Sequence, residues 1–256
     1  MILLQQAYRS PDAARQAELD HVQAANARVA AFAAVIEVDG AAKRWTFGDF
    51  FRLAAERSPG QICVLANSDI AFDESISNAA PLAERGLLVA LSRWDDAAAP
   101  SMEGRVAGAA WHFFSHSQDA WVFRAGGLPG FAAEFQLGIP QCESRLAYEA
   151  AAAGVVVVNP ALSIACHHHH ASAVRSWRRK DGYRGALLFP RLTTAAVETP
   201  EGLVVVRQGR SRRVEAVVRM TGSADDFQRQ TAERGRFRPL EIGKIGIRSP
   251  FYIRGR

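Results

Sequence analysis

The chain has 256 residues, 48% hydrophobic and 22% charged, with a formal net charge of +5, so it can form one large globular domain or one domain with an appendage. No apolar run approaches the ~20 residues of a membrane-spanning helix, and the apolar start at residues 1–4 is too short for a signal peptide. The three cysteines are few and odd in number, which argues against a disulfide framework and predicts a reducing, cytoplasmic location.

The first third of the chain alternates strand-like and helical stretches. Short apolar runs predict strands, and apolar residues at helical spacing predict the helices between them. The predicted strands are 2–4, 33–38 and 62–66, and the predicted helices are 12–29 and 47–56. Ser10 is the expected N-cap of the first helix, with Pro11 at its first position, and Thr46 that of the second.

The alternation continues to about residue 158. Helices are predicted at 74–84, with an interruption near Pro81, and at 145–153; strands are predicted at 87–91, 120–124, 134–137 and 155–158, and residues 96–108 are expected to form a loop. Strands and helices that alternate in units of this length are typical of α/β folds. We therefore predict a mainly parallel sheet with helices on both faces.

The last part of the chain differs in pattern and charge. We place a basic, β-rich extension at residues 177–256, with a hairpin that pairs 203–207 with 214–218 across Gly209. Residues 1–170 carry 12 Lys and Arg against 18 Asp and Glu, whereas residues 171–256 carry 19 against 8. This excess favours an anionic partner such as nucleotide phosphates, an acidic glycan, a membrane surface or nucleic acid. A solvated arginine-rich surface explains it equally well.

Four polar groups of residues interrupt the apolar pattern. The first is Asn67-Ser68-Asp69, followed by Asp73, directly after the buried strand 62–66. In open α/β sheets the carboxyl ends of the strands form the ligand crevice, so Asp69 is expected where a metal-bound ligand would lie. The alternative is a hydrogen-bond network that only shapes the turn.

The other three groups lie later in the chain. They are Ser117-Gln118-Asp119 before a strand, residues 141–145 at a helix start that favours anions, and Asn159-Pro160 with the histidines 167–170. On an extended backbone at most two of the four histidines share a face. One carboxylate and one imidazole leave room for water and phosphate around Mn²⁺ or Mg²⁺. The alternative is a polar turn.

Several motifs together resemble a known family. The matching residues are Gln6, Tyr8, Arg15, Glu18, Asn26, 66–70, 91–94, 117–123, 137–142, Arg145, 147–149, Gly154, Asn159, Pro160 and the histidines. Their order resembles the nucleotide-sugar glycosyltransferases of the GT-A fold, and in particular a bacterial group of uncharacterised members with an Asn-Ser-Asp motif. The resemblance covers about residues 2–176 and excludes the basic extension. We therefore take residues 1–176 as a GT-A-like glycosyltransferase domain.

The resemblance implies transfer of a sugar from a nucleoside diphosphate sugar to a glycan or other hydroxyl acceptor, with Mn²⁺ or Mg²⁺ as cofactor. Asp69 would be a metal ligand, and His168 or His170 would complete the metal site. The residues expected to contact the donor are Asn67, Ser68, Asp69, Gln6, Tyr8 and Arg15. Asn in place of a first aspartate argues against two carboxylate ligands from this motif.

The resemblance also implies catalytic roles. Glu143 would be the general base, with Asp119 as the competing base or acceptor-binding carboxylate. Arg145 or Arg93 would neutralise charge on the leaving group. A structural alternative for Arg145 is an ion pair with Glu149 one helical turn away.

Two other functions fit parts of the sequence. One is a sugar nucleotidyltransferase on a related fold, which a glycine-rich phosphate loop with Lys or Arg after the first strand would favour; residues 5–8 do not form one. The other is a non-catalytic domain that binds nucleic acid or another anionic polymer through the basic extension. For a glycosyltransferase, we expect this extension to contact an anionic surface such as a membrane, not nucleic acid.

Overall fold

A computed structural model describes residues 1–95, 117–161, 163–169, 172, 174, 177–184 and 186–190, and the backbone of 197–199, 202–208, 214–220 and 251–254. The helices are α1 Ala13–Asn26, α2 Phe47–Arg57, α3 Ala80–Glu84 and α4 Cys142–Ala152, with 3₁₀ turns at Glu74–Ala79 and Arg179–Asp181. The first strands are β1 Ile2–Ala7, β2 Ala34–Asp39, β3 Ile62–Ala66, β4 Ile70–Phe72, β5 Leu88–Leu91, β6 Trp94–Asp95, β7 Ala120–Arg124, β8 Val157–Val158 and β9 Cys166–His168. The strands after residue 180 are β10 Leu187–Pro190, β11 Val197–Thr199, β12 Gly202–Gln208, β13 Val214–Met220 and β14 Phe251–Arg254.

The main sheet has six strands in the order β2-β1-β3-β7-β5-β8. All neighbours pair in parallel except β7, which runs antiparallel to both β3 and β5. The predicted α/β class with a mainly parallel sheet is thus confirmed. The antiparallel strand brings its amino end, rather than its carboxyl end, to the edge where the other strands end.

Alternate residues of the strands fill two cores, one on each face of the sheet. On β3, Cys63 and Leu65 belong to the core beneath α2 and α4, whereas Val64 belongs to the opposite core with Ile76 and Leu82. This alternation follows from the two-residue period of a strand. Helical segments therefore cover both faces, as predicted.

A second, smaller sheet places the histidines. It has the order β4-β9-β6, and β9 pairs antiparallel with β4 so that His168 lies opposite Ile70. Since β4 begins directly after Asp69, this pairing brings the Asp69 side chain close to the strand that carries the histidines. The small sheet thus connects two motifs that are about a hundred residues apart.

Two buried amide side chains hold the turn between β3 and β4. Asn26 donates to the carbonyl of Ile70 (2.9 Å) and accepts from the N–H of Phe72 (3.0 Å), like a neighbouring strand residue. Gln5 donates to the carbonyl of Asn67 (3.1 Å). Because these amides are 1% and 5% exposed and hydrogen-bonded, they fix the backbone on both sides of Asp69.

The helix caps were partly predicted. Thr46 caps α2 as expected and forms a reciprocal capping box with Asp49. For α1 the prediction of Ser10 was wrong: Asp12 is the N-cap and accepts from the N–H of Arg15 (2.8 Å). The hydroxyl of Ser10 accepts from the N–H of Asp12 (3.2 Å), so it stabilises the turn before the helix.

Three other boundaries differ from the sequence-based prediction. Residues 134–137 form no strand but a single bridge between Thr46 and Gln136. Only Val157–Val158 of the predicted strand 155–158 pairs in the sheet, because the N–H of Val155 donates to Ala150 (2.9 Å) and closes α4 behind Gly154. Helix α4 begins at Cys142, three residues earlier than predicted. The predicted loop 96–108 lies outside the described residues.

The described residues after 180 form further strands, one of which packs into the core. Leu188 of β10 is fully buried in the core that contains α4, and β10 pairs antiparallel with β14. The predicted hairpin is confirmed, since β12 and β13 pair antiparallel with Val205 opposite Val218. Within the part of the chain that the structure describes, no helix has the length and apolar character needed to cross a bilayer.

Candidate functional site

Polar residues next to five strands meet at one edge of the main sheet. β1, β3, β5 and β8 end there, and β7 begins there. The residues that follow or precede these ends are Tyr8, Asn67, Ser68, Asp69, Ser92, Arg93, Ser117, Gln118, Asp119 and Asn159. This edge is the expected ligand crevice of an α/β sheet, so three of the four polar groups predicted from the sequence converge on it.

Asp69 lies at the centre of these contacts. Its side chain is 13% exposed, and Arg15 Nη2 donates to its Oδ2 at 2.7 Å. His168 Nε2 lies 3.5 Å from the same oxygen. His167 faces the other way and approaches Asp73 at 3.6 Å. The structure therefore brings together Asp69 and one histidine of the run, as expected from the alternation along a strand; His170 lies outside the described residues.

The Asp69–His168 pair can be tested as a cation site by its geometry. Two ligands at right angles, each about 2.1 Å from a divalent ion, are about 3 Å apart, which is close to the observed 3.5 Å. Among the described residues no group of three or more His, Cys, Asp or Glu side chains could hold a metal. The pair thus fits a cation that takes its other ligands from water and phosphate. The Arg15 guanidinium on the same oxygen opposes such a cation electrostatically.

The protonation state of His168 determines whether it can bind a cation. Burial lowers the pKa of His168, but the hydrogen bond to Asp69 and the negative charge of Asp69 outweigh it and raise the pKa above its usual value. A metal ligand must be the neutral imidazole. Cation binding by this pair would therefore weaken in acid, as His168 takes up a proton.

Arg15 connects three parts of the chain. Its side chain is 5% exposed, and Nη1 pairs with Glu18 at 2.8 Å and donates to the carbonyl of His169 at 3.3 Å. The hydroxyl of Tyr8 accepts from Nε and Nη2 at 3.3 and 3.2 Å. Burial lowers the pKa of Arg15, but Glu18 and Asp69 raise it overall. Arg15 therefore stays charged and links α1 to the Asp69 turn and to the segment after β9.

Removal of the Arg15 charge should destabilise the fold. In Arg15→Met, Asp69 and Glu18 lose their buried cation, and breaking a buried ion pair from one side costs about 3–5 kcal/mol. We expect this loss in urea-induced unfolding followed by circular dichroism. Arg52→Met, which removes an exposed arginine paired with Asp49 and Glu134, is the control and should change stability little, because solvent screens exposed ion pairs. An equal, small loss in both variants would contradict the structural role of Arg15.

Asp119 is the most deeply buried carboxylate at this edge. Its Oδ1 accepts from Asn67 Nδ2 at 2.9 Å, and Arg93 Nη1 lies 3.6 Å from Oδ2. Among the described residues, Asp119 Oδ2 is one of two buried side-chain polar atoms without a hydrogen-bond partner. Burial raises the pKa of Asp119, and Arg93 opposes this effect. One oxygen of the carboxylate, Oδ1, is thus fixed by Asn67, whereas Oδ2 can still accept a hydrogen bond.

Glu143 lies in the first turn of α4, where a helix favours negative charge. Burial, followed by the negative charge of Asp119, nevertheless raises the pKa of Glu143 to about 8. The charges of Asp119 and Arg93 both act on Glu143, and Asp119 in turn interacts electrostatically with Asp69 and His168, so Asp119 links Glu143 to the Asp69–His168 pair. A carboxyl group with a pKa near neutrality suits proton transfer.

Arg145 has other partners. Its guanidinium pairs with Glu149, as in the structural alternative, and donates to the carbonyl of Ala186 at 2.9 Å. It also lies 5.3 Å from the ring centre of Tyr148. None of these partners belongs to the cluster around Asp119, so the structure leaves a role for Arg145 on the leaving group as a prediction only.

Some of the other residues predicted to contact the nucleotide sugar already form hydrogen bonds within the protein. Ser68 Oγ donates to the carbonyl of Gln6, and Gln6 Oε1 accepts from the N–H of Trp45 at 2.7 Å. Tyr8 is 36% exposed beside Arg15. Of these three residues, Tyr8 therefore presents the largest surface to a ligand.

Comparison with known proteins finds no match, either among protein-family models or among curated proteins. The function of this cluster is accordingly inferred from its residues and their geometry.

Two supports of the site were not predicted: the buried position of Gln5, and the contact between Ser92 and Asn159, although Asn159 was itself among the predicted polar residues. The predicted first strand ends at residue 4, yet Gln5 lies within β1 and is 5% exposed. Ser92 and Asn159 bind each other through Asn159 Nδ2 and Ser92 Oγ (2.7 Å) and through the N–H of Ser92 and Asn159 Oδ1 (3.2 Å). A polar residue at the end of an apolar strand is the signal that could have identified both supports.

Proposed function

We propose that this protein is a metal-assisted glycosyltransferase with a GT-A-like domain, using a nucleoside diphosphate sugar and a hydroxyl acceptor. The supporting observation is the approach of Asp69 Oδ2 and His168 Nε2 to 3.5 Å at the carboxyl edge of a mainly parallel sheet. A carboxylate and an imidazole with open positions around them suit a Mn²⁺ or Mg²⁺ ion that also binds phosphate oxygens.

Charge at this edge suits a diphosphate leaving group. When bound, the cation would neutralise negative charge that develops on the diphosphate oxygens. Arg93, whose side chain is 35% exposed, can reach ligands from the crevice and add a second positive charge.

Glu143 is the proposed general base. In its ionised form it takes the proton of the acceptor hydroxyl while the acceptor oxygen bonds to the anomeric carbon. The bond between this carbon and the diphosphate oxygen breaks, and its electron pair leaves with the diphosphate. Because the pKa of Glu143 is raised to about 8, ionised Glu143 is a stronger base than an ordinary carboxylate.

A thermal-shift panel tests this function on the full chain. UDP, GDP and their sugar-linked forms are added at a fixed concentration, with and without Mn²⁺, and the rise in Tm is measured. We expect at least one nucleoside diphosphate to stabilise the protein, and only with Mn²⁺ present. Stabilisation by nucleoside triphosphates and sugar phosphates instead would favour a nucleotidyltransferase. Salt-sensitive polynucleotide binding without any nucleotide shift would favour a binding domain.

A further inference from the structure

The unused acceptor on Asp119 points to a bound hydroxyl group. Within the described residues its Oδ2 has no hydrogen-bond partner although the side chain is 6% exposed. A buried acceptor without a donor is costly, and native proteins rarely keep one unless a ligand or water supplies the donor. The other oxygen of the carboxylate is fixed, because Asn67 Nδ2 donates to Oδ1 at 2.9 Å.

The charged groups around Oδ2 restrict which kind of ligand group can donate a hydrogen bond to it. Arg93 Nη1 at 3.6 Å already balances the charge of Asp119, so a cationic ligand is not required. The negative charge of Asp69 acts on Asp119, and that of Asp119 acts on Glu143, so the carboxyl groups around this place disfavour an anion. A neutral hydroxyl group fits, because it can donate to Asp119 and accept from Arg93.

The position of Asp119 relative to Asp69 restricts the source of the hydroxyl. Asn67, which binds Asp119, is two residues from Asp69 in the same turn, and the N–H of Asn67 donates to the carbonyl of Asp119 at 3.1 Å. The group that binds Asp119 is therefore adjacent to the group that binds at Asp69. In a nucleotide sugar the sugar is attached directly to the diphosphate.

We propose that Asp119 Oδ2 binds a hydroxyl group of the donor sugar and that Asp119 is a sugar-specificity residue. This inference rests on the proposed function, since it takes the diphosphate to lie at Asp69 and His168. It assigns Asp119 to donor recognition, which leaves proton transfer to Glu143.

The test measures how much the sugar adds to nucleotide affinity. Calorimetric titration with Mn²⁺ present gives the Kd of the best nucleoside diphosphate and of its sugar-linked form, and their ratio is the sugar contribution. In Asp119→Asn we expect this ratio to fall about 10- to 100-fold, as for a hydrogen bond to a charged group. The Kd of the nucleoside diphosphate alone should change far less.

Asp73→Asn is the matched control. Asp73 is 52% exposed and lies 3.6 Å from His167 on the opposite face of β9 from His168, so its replacement removes an equal charge without touching Asp119. The sugar contribution should stay at the wild-type value. An unchanged contribution in Asp119→Asn would overturn the inference, and an absent nucleotide signal in the wild type would instead overturn the proposed function.

A second measurement keeps the test valid if Asp119→Asn does not fold. Wild-type protein is titrated with nucleotide sugars in which one hydroxyl at a time is replaced by fluorine, which cannot donate a hydrogen bond. We expect one position to lose about 10- to 100-fold in affinity and the others to lose little. Equal affinity for every fluorinated sugar would contradict a donor hydroxyl at Asp119.

Discussion

In Asp69→Asn, the Mn²⁺-dependent stabilisation by nucleoside diphosphate should disappear. Asn keeps an oxygen that can accept from Arg15 but lacks the negative charge that holds a divalent cation. We therefore expect the affinity for the nucleotide with Mn²⁺ to fall at least about 100-fold, to the level of the metal-free wild type. The measurement is the rise in Tm of each variant above its own unliganded Tm, which corrects for lost stability.

Asp73→Asn again provides the control for Asp69→Asn. Both residues pair with a histidine of β9, Asp69 with His168 and Asp73 with His167. Only Asp69 lies at the centre of the crevice contacts, so the Asp73 variant should keep the full Mn²⁺-dependent shift. An undiminished shift in Asp69→Asn would exclude Asp69 as a ligand of the cation.

In Glu143→Gln, we expect donor binding to persist while turnover is lost. Gln is similar in shape but cannot take a proton, and loss of a general base typically costs about 10²–10⁴-fold in rate. The measurement is release of nucleoside diphosphate from the best-bound nucleotide sugar, with water or the acceptor as the attacking hydroxyl. Glu149→Gln, on the same helix and paired with Arg145, is the control and should turn over normally. Full turnover in Glu143→Gln would transfer the base role to Asp119.

The pH dependence of this reaction gives a second check on Glu143. Because burial and Asp119 raise the pKa of Glu143 to about 8, the ionised base becomes scarcer as the pH falls below that value. We expect kcat/KM to rise with pH up to about 8 in the wild type. In Asp119→Asn, loss of the neighbouring negative charge should shift this rise to lower pH. A pH profile that is flat from 6 to 9 would contradict proton transfer by Glu143.

Much of the scaffold follows from local rules in the sequence. Thr46 and Asp49 specify the start of α2 through side-chain contacts only three residues apart. The direction of β7 depends on strands that are distant in sequence, so alternating elements alone predicted a more uniformly parallel sheet. The prediction that all of 155–158 is a strand was wrong because apolar residues can end a helix as well as fill a strand. Val155 does the former.

For a similar reason, the sequence predicted some contacts of the candidate site and not others. The expected meeting of Asp69 with one histidine rested on strand alternation and on the crevice rule, both of which are general. The Arg15 contact to Asp69 depends on how α1 packs against the small sheet. The same holds for Asn26, which replaces a strand neighbour of β4. Such contacts join residues more than forty positions apart, so a local sequence pattern cannot predict them.

Binding of Mn²⁺ to His168→Gln and His167→Gln tests the central claim most directly. The two histidines are neighbours on β9 but face Asp69 and Asp73 respectively, so the variants differ only in which side of the strand is changed. Electron paramagnetic resonance counts free Mn²⁺ in the presence of the best-bound nucleoside diphosphate at pH 8. We predict that His168→Gln binds Mn²⁺ at least about tenfold more weakly than the wild type, while His167→Gln binds it normally. Equal binding by both variants, or a loss confined to His167→Gln, would contradict a cation held between Asp69 and His168.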